Sequence, residues 1–152
     1  DIHQFCDDRP LILGGIKISD TNGLLGHSDA DALIHAIMDS LLGAAGLPDI
    51  GHFFPDDDPE FENASSVKLL IRVMKKIRDM GYEVGNIDTT IIAQRPRLSC
   101  YIPEMKACLS RVMGITEDAL GIKATTKEKM DAIGEGKAIA VMASSLLYRR
   151  NY

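Results

Sequence analysis

The stretch from Ser65 to Gln94 constrains the fold more than any other. SSVKLLIRVMKKIRDMG repeats apolar residues at helical spacing, with Val67, Leu70, Ile71, Met74 and Ile77 on one stripe, basic residues opposite, a serine cap and Gly81 as the stop. YEVGNIDTTIIAQ follows at once, and its β-branched run predicts a strand pair or one bent strand. The basic helix face reads as solvated surface. A helix handing its chain directly to a strand implies helices laid on a sheet.

The flanking segments extend this pattern. PLILGGIKI, residues 10–18, reads as a strand with a bend or bulge at Gly14-Gly15, and residues 20–26 as a turn. A helix is expected from Ser28 or Asp29, with Ser28 as cap and Ala30, Leu33, Ile34, Ile37, Met38, Leu41 and Leu42 recurring along it; it ends between Gly43 and Pro48. Residues 49–65 read as a long acidic loop. RPRLSCYIP is a proline-flanked loop, PEMKACLSRVMG a helix, and LGIKATT a strand running into a short helical turn. KAIAVMASSLLYRR is a final strand or helix, which apolar continuity does not decide. The order predicts a single α+β domain over residues 1–152, a mixed β-sheet with helices on one face.

A chain of 152 residues with 45% hydrophobic and 26% charged residues supports one such domain with a real core. The net charge of -5 argues against a nucleic-acid partner, because duplex binding needs basic surface. No apolar run is long enough to span a bilayer, which predicts no membrane association. Cys6, Cys100 and Cys108 are odd in number and widely spaced, as expected of reduced thiols in a cytoplasmic protein, with a plastid-type organelle the alternative if a transit peptide has been removed. Because the sequence begins at Asp1 without methionine, a few residues are expected to precede it and to complete a first strand.

Chemistry concentrates around the histidines. Asp1 and His3 lie two apart, on one face of a strand. His35 sits in the first predicted helix, four residues from both Asp31 and Asp39. Asp1, His3 and His35 together make a donor set suited to Zn²⁺ with one open position, whereas recruiting Cys6 would close the site and make the metal structural. The residues alone leave both open. PDDDP, residues 55–59, lacks the calcium-loop pattern and reads as a solvated acidic turn. In KATTKEK, Thr125 and Glu128 fit a capping box, although the hydroxyls and free amides there also suit a phosphate, with Glu128 toward Mg²⁺. GEGKA, residues 134–138, is no dinucleotide fingerprint.

Six segments occur together in one order: Asp1-Ile-His3, the run Leu25 to Asp31 leading to His35, Asp49-Ile50-Gly51, Phe54-Pro55-Asp56-x-Asp58-Pro59, Asp88 through Ala93-Gln94 to Pro96, and Lys123 to Lys129. In these the chain resembles the 2-C-methyl-D-erythritol 2,4-cyclodiphosphate synthase family of the non-mevalonate isoprenoid pathway, over nearly its whole length. The resemblance implies a homotrimer whose sheets surround a threefold axis, with active sites at subunit interfaces. It implies Asp1, His3 and His35 as ligands of Zn²⁺ or another divalent transition metal, and Glu128 as a ligand of Mg²⁺ or Mn²⁺ shared with substrate phosphates. The implied substrate is a cytidine diphosphate-linked small molecule, contacted also by Asp1 and His3. Asp49, Ile50, Gly51, Phe54, Asp56 and Asp58 would hold its methylerythritol part, and His27 and Ser28 would form a loop near the phosphates. Ala93, Pro96, Arg97, Leu98 and Ser99 would hold the cytidine. Thr125 and Thr126 would contact the diphosphate across a subunit interface, and His27 and Thr126 would serve catalysis. His52 matches no fixed position.

The chain departs from the family after Glu128, where Asp131 and Ala132 replace Gly-Phe, and Glu135 and Lys137 exchange an Arg and a Glu. The expectation is a reversed Glu135–Lys137 ion pair near the threefold axis, with Ala132 reshaping the central cavity and Glu135 repelling any prenyl diphosphate there. A zinc phosphohydrolase and a non-catalytic, metal-stabilised binding module are the rival readings.

Overall fold

The structure, a computed structural model, describes residues 1–151. Its elements are β1 (Ile2–Cys6), β2 (Leu11–Leu13), β3 (Ile16–Ser19), β4 (Gly23–Leu24), α1 (Ala32–Ala44), α2 (Ile50–Phe53), α3 (Ser66–Asp79), β5 (Tyr82–Ile92), α4 (Ile102–Met113), β6 (Leu120–Thr125), α5 (Asp131–Gly134) and β7 (Ala138–Arg149). Short 3-10 turns occupy Pro59–Phe61 and Glu117–Ala119. One five-stranded sheet runs β4-β1-β7-β5-β6, and β2-β3 form a separate hairpin. Only β5 and β6 pair in parallel, so the sheet is mixed.

The long β5–β7 ladder, from Tyr82↔Arg149 to Ile92↔Ala140, is the spine of the sheet. It settles two open points. The final segment is a strand because Ile139 and Val141 face the helices while Met142, Leu146 and Tyr148 face away, a period-two pattern. Residues 82–92 are one strand, irregular in register between Val84 and Asn86, where Gly85 sits.

Helices α1, α3 and α4 cover one face. Leu33, Ile34, Ile37, Leu41 and Leu42 of α1, Leu70, Val73 and Ile77 of α3, and Met105, Leu109 and Met113 of α4 pack against Ile87, Ile91, Leu120, Ile139 and Val141. Helix α1 is buried nearly all round, as suits a helix lying between the sheet and α3. Among the described residues no helix covers the other sheet face, which exposes Ile2, Met142, Leu146 and Tyr148. No helix among the described residues is long and apolar enough to cross a membrane.

Several expectations need correction. Residues 10–18 are not one bent strand but a hairpin, since Gly14 and Gly15 at φ 61° and 75° turn the chain back. The first helix starts at Ala32, because Ala30 takes φ 56° and the cap is Asp31, not Ser28. Ile71 lies off the buried stripe, 52% exposed. The acidic loop carries α2 and a 3-10 turn, capped by Asp49 and Asp58, whose side chains accept N–H from His52 and Glu60. No helical turn follows β6 directly; α5 comes only at Asp131, and Thr126 Oγ1 accepts the Glu128 N–H where a Thr125 capping box was expected.

Candidate active site and metal centre

Strand β1 delivers Asp1 and His3 from one face, and α1 brings His35 to them. Asp1 joins the sheet through its backbone: its N–H donates to the Val141 carbonyl at 2.9 Å and its carbonyl accepts the Val141 N–H at 2.8 Å. His3 Nε2 lies 2.8 Å and His35 Nδ1 3.5 Å from Asp1 Oδ2, with 3.2 Å between the two nitrogens. Cys6 is not in this group. Its odd separation from Asp1 and His3 turns it to the other face of β1, so the closed, fourth-ligand version of the site has no support.

Hydrogen bonds assign both imidazole tautomers. His3 Nδ1–H donates to the Leu25 carbonyl at 2.8 Å, which leaves Nε2 with a free lone pair. His35 Nε2 lies 3.1 Å from Ser28 Oγ and 3.0 Å from Ser66 Oγ. The Ser66 hydroxyl donates to the Asp29 carboxylate, which also accepts the Ser66 N–H at 3.0 Å. With its proton given to Asp29, Ser66 Oγ must accept, so His35 carries hydrogen on Nε2 and presents the lone pair of Nδ1. Two lone pairs and a carboxylate oxygen converging this closely repel one another unless a positive charge sits between them. The donor set therefore fits a divalent cation, with both outer nitrogens oriented as in metal-binding histidines. Burial pushes the His35 imidazole below the usual histidine range, against the opposing pull of the Asp31 carboxylate.

Asp31 supports the site without entering it. Fully buried, its carboxylate accepts N–H from Gly14, Gly15 and Ile34 at 2.9, 2.8 and 3.0 Å, joining the β2-β3 turn to the start of α1. Burial pushes this carboxyl up to about 6, against the pull of those amides.

A cavity of about 300 Å³ opens beside the three donors and is lined also by His27, Ser28, Asp49, Ile50, Gly51, Phe54 and Asp56. Asp58 lies outside this lining but its carbonyl accepts His27 Nε2–H at 3.0 Å. Ala93, Pro96, Arg97, Leu98, Ser99, Thr125 and Thr126 line a different cavity of about 410 Å³, which shares no residue with the first. Glu128 stands outside the three-donor group and lines neither cavity. It sits at φ 49°, next to Lys129 at 65°, a left-handed pair that is rare outside glycine and recurs at functional sites. His52 is exposed on α2. Glu135 and Lys137 form an ion pair within the chain.

Sequence reading placed Asp39 on the His35 face of the helix but gave it no site role, although it lines the first cavity and accepts the Ile50 N–H at 2.9 Å, and it missed the Asp29–Ser66 pair behind His35. The i,i+4 spacing of Asp39 from His35 was a usable signal; Ser66, 31 positions from His35, left none.

Comparison with known proteins converges on one family. The YgbB family model matches residues 1–148. The 2-C-methyl-D-erythritol 2,4-cyclodiphosphate synthase of Clostridium acetobutylicum is 51% identical over 97% of this chain and 95% of its own length. The bifunctional enzyme IspD/IspF of Desulforudis audaxviator is 49% identical over 98% of this chain, which spans 38% of that relative's length. A solved structure of Plasmodium falciparum IspF in complex with CDP matches with a TM-score of 0.87 at 37% identity, covering 99% of this chain and 93% of that one. The chain therefore belongs to the YgbB family, the family of the 2-C-methyl-D-erythritol 2,4-cyclodiphosphate synthases.

Proposed function

We propose that the chain acts as a cytoplasmic homotrimer that converts 4-diphosphocytidyl-2-C-methyl-D-erythritol 2-phosphate to 2-C-methyl-D-erythritol 2,4-cyclodiphosphate and CMP. The observation that carries this reading is the convergence of His3 Nε2, His35 Nδ1 and Asp1 Oδ2 at the wall of a cavity shared with His27 and Ser28. Divalent ions, one at Asp1, His3 and His35 and one at Glu128, would supply charge neutralisation and polarisation of phosphoryl oxygens in an acidic protein.

In the reaction, an oxygen of the 2-phosphate attacks the β-phosphorus, a new P–O bond forms, and the bond to the CMP oxygen breaks with its electron pair leaving on CMP. Nucleophile and electrophile belong to one molecule, so the protein's task is to fold it into an in-line pose. Asp49, Ile50, Gly51, Phe54, Asp56 and Asp58 hold the methylerythritol part, and Ala93 to Ser99 hold the cytidine. His27 and Thr126 hydrogen-bond to phosphoryl oxygens as charge moves. No enzyme nucleophile is needed.

Two features support the trimer. The bare sheet face leaves the apolar side chains of Ile2, Met142, Leu146 and Tyr148 exposed, surface that association would bury. The metal-side and cytidine-side cavities are also separate in one chain, as halves of a site joined by a neighbouring subunit would be. Incubation with the cytidylylated substrate and Mg²⁺, followed by phosphorus NMR, tests the reading: CMP and a cyclic diphosphate are expected. Release of inorganic phosphate without a cyclic product would instead identify a phosphohydrolase.

A further inference from the structure

We infer that Arg9 is a positioning residue that sets the loop Leu25 to Ser28 and, through it, both imidazoles of the metal centre; the inference rests on the function proposed above. Arg9 lies between β1 and β2, just beyond the strand that carries His3. Its guanidinium straddles the loop, with Nη1 donating to the Gly26 carbonyl and Nη2 to the Ser28 carbonyl. The carbonyl between them, on His27, accepts the Asn63 N–H at 2.8 Å, and the one before them, on Leu25, accepts His3 Nδ1–H. Four successive carbonyls are thus held, and Arg9 holds two of them as the one ionised donor, which makes the stronger charge-assisted bonds.

The loop's own contacts transmit this restraint. Leu25 presents its carbonyl to His3, and Ser28 presents Oγ to His35. A side chain at Gly26 would stand 3.3 Å from the His3 ring and 3.0 Å from Ala30 Cβ, so the loop lies close against the centre and has little room to settle differently. Rotation of the loop about residues 26–28 would withdraw a hydrogen-bond partner from each histidine at once. A planar guanidinium holds two N–H groups in a fixed fork that bridges carbonyls two residues apart, whereas the donors of an ammonium are not fixed in that spacing.

The test is zinc affinity of Arg9→Ala and Arg9→Lys by competition with a chelating dye, together with kcat and KM for cyclisation. Arg9→Ala is expected to bind zinc about 10-fold more weakly, the usual effect of losing an outer-shell partner, with kcat reduced and both partly restored by guanidinium ion but not by sodium chloride. Arg9→Lys, which keeps the charge and protects the fold, is expected to show the same direction of loss. Zinc affinity and turnover unchanged in both variants, or a lowered melting temperature with zinc affinity intact, would overturn the inference. So would absence of guanidinium rescue. If the unsubstituted chain binds zinc yet forms no cyclic diphosphate, the proposed reaction fails while the zinc comparison still decides on Arg9.

Discussion

His35 Nε2 lies 3.0 Å from Ser66 Oγ, and because that hydroxyl is already donating to Asp29, the contact fixes which nitrogen of His35 faces Asp1. A residue on α3 thereby decides which lone pair a candidate ligand on α1 presents. Removing the hydroxyl in Ser66→Ala leaves Ser28 Oγ as the remaining acceptor for Nε2–H. Zinc affinity should fall about 10-fold while the helical signal stays intact, measured by chelator competition and circular dichroism. Unchanged affinity would mean that Ser28 alone orients the ring.

Asp31 ties three backbone amides from two elements in a fully buried position. Asp31→Asn offers a single acceptor oxygen and turns an NH₂ toward an N–H, so a buried donor loses its partner. The expected cost is about 2 kcal/mol, a fall in melting temperature of roughly 4–8 °C. Calorimetry checks this, and an unchanged transition would contradict the role given to Asp31.

The two buried titrating groups near the centre pull stability in opposite directions with pH. His35 has a depressed pKa, so its contribution is present above the ordinary value of 6.5 and is lost as pH falls through its folded value. Asp31 has a raised pKa, so its contribution is full below 3.8 and is lost as pH rises through about 6. In metal-free protein, His35→Ala should remove the acid-side loss and leave Asp31's gain. Acidification from pH 7 to 5 should then raise the variant's melting temperature relative to the unsubstituted chain. Parallel pH dependence of the two would refute this assignment.

Zinc binding itself should weaken on acidification, because a proton competes for each imidazole lone pair. His35, held below the usual histidine range, keeps its lone pair to lower pH than a free histidine. Release followed by a zinc-responsive dye should therefore be complete only below the ordinary histidine range. Half-release well above pH 7 would be inconsistent with two neutral imidazole ligands.

Leu146, 61% exposed on the uncovered sheet face, tests association. Leu146→Asp places a charge on the proposed trimer interface while leaving the helix-covered face untouched. Analytical ultracentrifugation should show a loss of trimer, and turnover should fall with it if a neighbouring subunit completes the site. A fully associated, active variant would place the interface elsewhere.

The sequence by itself determined a good part of this molecule. The α3 stripe apart from Ile71, the stop at Gly81, the β-branched run after it and the spacing of Asp1 and His3 are local patterns, and they survive in the structure because periodicity and backbone preference act over a few residues. What residues could not decide locally, tertiary structure did. The final segment became β7 because β5 and β1 offered it hydrogen-bonding edges on both sides, and Gly14-Gly15 became a hairpin turn where Asp31 could receive its amides. Whether Cys6 joined the donor group was settled by the face of β1 on which it falls. The tautomers of His3 and His35 depend on Leu25, Ser66 and Asp29, partners 22 to 37 positions away along the chain from the residues they hold, and no periodicity reaches that far. Hydrogen-bond polarity is a property of neighbours in space, and only the folded chain chooses those.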